Sequence, residues 1–417
     1  MSDPSKNDQS LNKASQLQST NHLIVEAIVN MTNIVESMHH RLSPISKRTE
    51  SPQTERARGL AGLVYKSIRS LTELVGKSLD APLGIMSELL SQNSTFSSKD
   101  RLLSALNGVL GDHLVKRNSS LAIPMALRKQ GIQLAPNRLA KSLQQSNGKL
   151  VIMIHGLCMN DLQWKQKEHD HGKALETDLG YTAVYLHYNT GLHISENGKL
   201  FAHMLEQLIS DMDLANIGLP LDISIVAHSM GGLVTRSALQ QANIIGHQWP
   251  DRMKNIVFLG TPHHGAPLEK AGNWMDLLLG VHAYTSPLKG LLRIRSAGIT
   301  DLRHGNLIES DWHQRSRFDF SKDKRTPVAL PENVNFYTVA TTASAKTNNI
   351  NEQLVGDGLV PIDSALGKHQ TKAFTLDFAK SHQWIGRDIN HMQLLSNPEV
   401  YTVIKNWLVK NSYSSNE

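Results

Sequence analysis

Cysteine is almost absent. Cys158 is the only one in 417 residues, which excludes an intrachain disulfide framework and a zinc site built on several thiolates. Long apolar runs are missing too. Every apolar stretch is short and interrupted, so no transmembrane helix is expected. Met1 to Ser19 is polar and rich in Ser, Gln, Asn and Lys, with nothing like the apolar core of a signal peptide, and a cytoplasmic location is the expectation. Charge of one sign is scarce. Lys plus Arg is 43 and Asp plus Glu is 37, a net +6 with no dense basic run, so nucleic acid is not an expected partner. What the chain does have is 40% hydrophobic residues over a length between one and three average domains, enough for a large core.

The pattern along the chain divides into a helical front and an α/β back. Residues 1–54 read as a polar tail, one amphipathic helix and a linker. Within them Ile24, Ile28, Met31, Val35 and Met38 form a stripe at helical spacing. Residues 55–119 read as a helical extension, with a second stripe from Leu60 to Val75, a break at Pro82 and a further helix over Ser98 to Leu110. These stripes are expected to pack on the rest of the chain. The sharper alternative is peripheral contact with a membrane or lipid surface through the N-terminal helices. Residues 120–417 read as one α/β domain. A leading hairpin is expected over Leu121 to Leu127 and Ile132 to Leu134. Strands follow at Leu150–Ile154, Thr182–Leu186, Ile223–Val226, Ile256–Leu259, Asn335–Ala340 and Ala373–Leu376, separated by helical stretches. Such alternation predicts a mostly parallel sheet covered on both faces. About residues 265–331, with Trp274 and clustered leucines, the alternation is interrupted by a segment of the size of a cap or lid.

The chemistry is carried by Ile223-Ser224-Ile225-Val226-Ala227-His228-Ser229-Met230-Gly231-Gly232-Leu233. A buried strand runs into a small-x-Ser-x-Gly turn and then a helix. A turn that tight requires small residues two before and two after the serine, here Ala227 and Gly231. It lifts the Ser229 hydroxyl above the sheet edge at a helix N-terminus, with the Met230 N–H placed to bind a developing oxyanion.

On these residues the sequence resembles the α/β-hydrolase superfamily, and within it bacterial lipases and esterases, from about Gly148 to Leu408. His155-Gly156-Leu157, Gly260-Thr261-Pro262-His263-His264-Gly265 and Gly356-Asp357-Gly358-Leu359-Val360-Pro361 also match, the second like the inositol-deacylase-like branch. Ala227 departs from the commoner Gly. The resemblance implies a second oxyanion donor after the strand ending at Ile154, which assigns the Leu157 N–H; His155 is expected to fix that loop. It also implies the chain order Ser, acid, His. His391 is the chosen base, with His382 as runner-up and His369 too early. Asp357 is the chosen acid, with Asp363 and Asp388 behind it. Cys158 has no feature of an activated thiol and is set aside as nucleophile.

The expected activity is therefore hydrolysis of a carboxylic ester through an acyl-enzyme on Ser229, with no cofactor and an acyl-ester or lipid substrate. A phospholipase, polyester depolymerase or thioesterase on the same fold is the alternative substrate class. A docking protein with a residual site is the alternative of another kind. His169-Asp170-His171 has ligand residue types but no distant partner, so no metal is expected, and His263-His264 is expected to shape the pocket wall. No feature of the sequence speaks to oligomeric state.

Overall fold

Eight strands form one sheet in the computed structural model, which describes residues 96–166, 168–214, 220–266, 296–313, 325–343 and 356–412. The strands are β1 (Ala126–Lys129), β2 (Ile132–Gln133), β3 (Lys149–Ile154), β4 (Thr182–His187), β5 (Asp222–His228), β6 (Met253–Leu259), β7 (Asn335–Thr342) and β8 (Gln383–Arg387). Their spatial order is β2-β1-β4-β3-β5-β6-β7-β8. From β4 to β8 every pairing is parallel; β1 runs antiparallel to both its neighbours. The helices are α1 (Phe96–Lys116), α2 (Pro136–Gln145), α3 (His171–Leu179), α4 (Ile194–Leu214), α5 (Met230–Ile245), α6 (Ala297–His304), α7 (Glu309–Trp312), α8 (Ile362–Ala365) and α9 (Pro398–Ser412). This is the α/β-hydrolase arrangement that the sequence predicts.

Local chemistry explains the elements that frame the site. Gln130 and Gly131 both have positive φ, 55° and 79°, the backbone a two-residue hairpin turn requires. Pro136 opens α2 at a position where its missing N–H costs nothing, and Leu139, Ala140 and Leu143 face inward. Asp170 caps α3 by accepting the Lys173 N–H, and Gly180 ends the helix in the left-handed conformation. The strands β3 to β6 are buried almost throughout because helices cover both faces. One core cluster joins Val151, Met153, Val226, Val257 and Val339 to Leu394, Ile404 and Trp407 of the C-terminal segment.

Three expectations need correction. The last strand is β8 at Gln383–Arg387, not Ala373–Leu376, where Lys372–Phe374 makes a single 3-10 turn. An edge strand pairs on one side only and needs few apolar residues, so Gln-Trp-Ile-Gly-Arg carries little strand signal. The first hairpin strand begins at Ala126 rather than Leu121. The helix expected over Ser98–Leu110 is longer and spans Phe96–Lys116. The two stripes at residues 24–38 and 60–75, and most of the segment expected as a cap, lie outside the described residues.

Candidate active site

Ser229 sits at the junction of β5 and α5 with φ 54° and ψ −122°, a conformation that L-residues avoid and that costs on the order of 1–3 kcal/mol. Packing holds it there. The Ser229 N–H donates to Leu259 O at 2.9 Å, which fastens the turn to the end of β6. Gly231 is obligatory, since a Cβ on it would lie 2.6 Å from Ile154 O and 2.8 Å from His155 O. Ser229 itself is only 4% exposed.

His391 and Asp357 come together beside this turn. His391 Nδ1 donates to Asp357 Oδ2 at 2.7 Å, and the His391 N–H donates to Asp357 O at 3.1 Å. The other carboxylate oxygen accepts the N–H groups of Leu359 at 3.0 Å and Val360 at 2.8 Å, so the acid is fixed by the turn that carries it. A carboxylate accepts only, which puts a proton on Nδ1, so that in the neutral ring the lone pair is on Nε2. His391 Nε2 is buried and without a hydrogen-bond partner. Two contacts bind this histidine to the serine turn. His228, next to Ser229, has Nε2 3.1 Å from His391 O and its ring 4.6 Å from the His391 ring. Gly260, next to Leu259, approaches so closely that a Cβ on it would meet His391 Cε1 at 3.2 Å.

The loop after β3 closes the other side. A Cβ on Gly156 would lie 3.0 Å from Ser229 Cβ, so the absence of a side chain lets this loop reach the serine. Tyr188 OH donates to His155 O at 2.8 Å and stacks on the His155 ring, while His155 Nδ1 lies 3.0 Å from Gly156 O. Burial pushes the His155 imidazole down to about 4, which keeps it neutral. The Cys158 N–H is committed to Thr190 Oγ1 at 3.1 Å. The Met230 N–H is the first of α5 and has no acceptor within the helix. Leu157 and Met230 are both fully buried. The Cys158 thiol is buried and pushed up to about 12, the opposite of an activated nucleophile.

The family model of the PGAP1-like alpha/beta domain matches residues 145–353, half of the sequence. The chain belongs to that family. The matched residues of this PGAP1-like domain contain Leu157, Ser229 and Met230 and end just before Asp357. Among solved structures, the mature Bacillus licheniformis lipase BlEst2 is similar at 17% identity and TM-score 0.40, over 63% of this chain and 92% of that one. The metagenomic carboxyl esterase MGS0156 is similar at 15% and 0.37, over 64% and 76%. The phospholipase PlaB from Legionella pneumophila is similar at 14% and 0.33, over 52% and 45%. No curated protein matches the sequence.

The other candidate residues lie elsewhere. His382 binds Phe336 O through Nδ1 at 3.1 Å and packs on Tyr337. His369 lies in the turn against Phe374. Asp363 is exposed and 4.0 Å from Lys368, and Asp388 is exposed. His169 and His171 are neither strand nor metal cluster. Asp170 between them is the α3 cap, His169 Nε2 meets His171 Nδ1 at 2.7 Å, and His171 Nε2 meets Leu394 O at 2.9 Å. Among the described residues no group of three or more His, Cys, Asp or Glu can hold a metal ion, and no helix is long and apolar enough to cross a membrane.

Two features escape sequence reasoning. His228 holds the backbone of His391, but in sequence it is only the variable residue before the serine. A second buried acid–histidine pair, Asp161 and His187, stands 3.3 Å apart without hydrogen-bond geometry, and Arg128 lies 3.3 Å from the same Asp161 oxygen. Burial and the Arg128 charge push His187 down to about 2, so it is unsuited to taking up a proton.

Proposed function

We propose that this protein is a serine carboxylic-ester hydrolase in which Ser229, His391 and Asp357 form the triad and the N–H groups of Leu157 and Met230 form the oxyanion hole. The observation that carries the reading is the 2.7 Å hydrogen bond between buried His391 and buried Asp357, with His391 Nε2 left open beside the strained Ser229 turn. In substrate-free hydrolases the serine–histidine contact is often long and tightens only around the reacting group. Ser229 passes its proton to His391 Nε2 as Oγ bonds to the acyl carbon. The carbonyl oxygen takes the negative charge and points at the two N–H groups, each supplying on the order of 3 kcal/mol to the lowered barrier. His391 then protonates the leaving alcohol, and Asp357 stabilises the imidazolium throughout. Water, deprotonated by His391, attacks the acyl-enzyme and releases the acid. The substrate in this reading is an acyl ester or lipid.

Ser229→Ala in the full chain is expected to abolish turnover of p-nitrophenyl esters and labelling by a fluorophosphonate. Labelling at the wild-type rate in that variant would overturn the nucleophile assignment. A chain-length series of the same esters reads the acyl preference. No hydrolysis of any member by intact protein would favour the docking reading instead.

A further inference from the structure

The Leu157 N–H, the second proposed oxyanion donor, sits in a turn that its residue types disfavour. The Met159 N–H donates to Gly156 O at 3.3 Å and closes a four-residue turn with Leu157 and Cys158 in the middle. Cys158 has φ 60°, while Leu157 does not have a positive φ. That is the type II pattern, whose third position calls for glycine. A residue with a Cβ prefers the type I turn there, which differs by rotation of the peptide joining Leu157 to Cys158. The preceding peptide is already fixed. Its Gly156 O accepts from His155 Nδ1 at 3.0 Å as well as from Met159, and the Leu157 N–H points from its opposite edge.

One side chain holds the middle peptide. The Cys158 N–H donates to Thr190 Oγ1 at 3.1 Å, and both residues are buried. The loop that carries Thr190 is itself tied down on every side. Asn189 accepts the Gly191 N–H at 3.0 Å and donates to Gly111 O of α1 at 3.1 Å. Asn197 of α4 donates to Asn189 O at 2.9 Å, and the Gly298 N–H of α6 donates to Gly191 O at 3.1 Å. A Cβ on Gly298 would lie 2.0 Å from Thr190 O, so α6 closes directly on this loop. Three helices therefore hold the oxygen that holds the turn. Without that oxygen the Cys158 N–H would be a buried donor with no acceptor, and rotation of its peptide would be favoured. Rotation changes the torsion on the Leu157 side too, so the Leu157 N–H would no longer aim at one point.

We infer that Thr190 is a positioning residue for the oxyanion hole, acting through its hydroxyl on the Leu157–Cys158 peptide. This role rests on the ester-hydrolase reading. The hydrogen bonds that fix His391 and Asp357 do not involve Thr190.

The experiment is steady-state hydrolysis of a p-nitrophenyl ester and inactivation by a fluorophosphonate, run on the full chain well below Tm. Thr190→Val keeps the shape and removes the oxygen. It should lower kcat on the order of tenfold and slow inactivation alike, with KM little changed, because the donor is loosened rather than removed. The midpoint of the pH profile of kcat should stay in place, since the triad is untouched. Thr190→Ser, which keeps the oxygen, should recover most of the loss. Wild-type kcat in Thr190→Val, equal impairment in Thr190→Ser, or a displaced midpoint would overturn the inference. Should Thr190→Val fail to fold, the wild-type chain supplies the measurement. Cys158 is its only cysteine, so isotopically labelled cysteine gives a single backbone amide signal. That amide should exchange slowly with solvent deuterium, and exchange at the rate of an unfolded peptide would overturn the inference. Absence of turnover and labelling in the wild-type chain would instead remove the ester-hydrolase reading, and this role with it.

Discussion

Asp357 spends its whole side chain on three N–H groups, two from its own turn and one from His391. Asp357→Asn would keep the size but present an amide N–H or a weaker acceptor to the imidazole, disturbing the tautomer that leaves Nε2 able to accept. The expected result is a loss in kcat on the order of 10³–10⁴ with little change in KM, read from steady-state ester hydrolysis. Cys158→Ala, by contrast, should leave kcat within about threefold, since the thiol is protonated and buried. How far these residues were legible in the sequence follows from the distance over which their geometry is set. Ser229 was legible because an elbow is a local steric object with its small residues at fixed offsets. Asp357 and His391 required the chain order of a known fold, because 34 residues separate them and only the sheet brings them to 2.7 Å. His228 was illegible because its partner, His391, lies 163 positions away and no local pattern marks the contact.

At the scale of elements, α1 is bolted to the residues around the loop after β3. Asn107 accepts the Ile123 N–H and donates to Leu121 O, Ser296 donates to Gly108 O, and Asn189 donates to Gly111 O. Gly108 lies directly against Cys158, where a Cβ would come within 2.3 Å of the sulfur. Gly108→Ala should therefore lower unfolding free energy by about 1–3 kcal/mol, and adding Cys158→Ala should restore part of the loss, measured by denaturant titration. A double variant no more stable than Gly108→Ala alone would mean that this contact is not what sets the packing. The buried strands were readable because burial on both faces forces runs of Val, Ile and Leu. The edge strand β8 was not, because its exposed side tolerates polar residues, and Ile385 is 49% exposed. The α1 helix was expected, but its length was not, since its two glycines weaken the helical signal where the helix packs most closely.

Across the whole molecule, burial holds several histidines neutral. It pushes His171 down to about 3, and His155 and His264 to about 4, from an ordinary value of 6.5. Between those values the unfolded chain binds more protons than the folded one, so stability falls as pH drops. The denaturant midpoint should decline steadily from about pH 6.5 to pH 4, and His171→Gln should flatten part of that slope. A midpoint constant over this range would contradict the buried-neutral assignment. The attachment of α1 bears on how the protein is handled at the bench. A recombinant fragment trimmed to the matched family region, residues 145–353, would leave behind the helix that packs beside the loop after β3, together with the proposed acid Asp357 and base His391. A fragment made to test the proposed ester hydrolysis should begin before Phe96 and run through the C-terminal helix. Inactivity of the 145–353 piece would then follow from its missing brace and from its missing Asp357 and His391 alike.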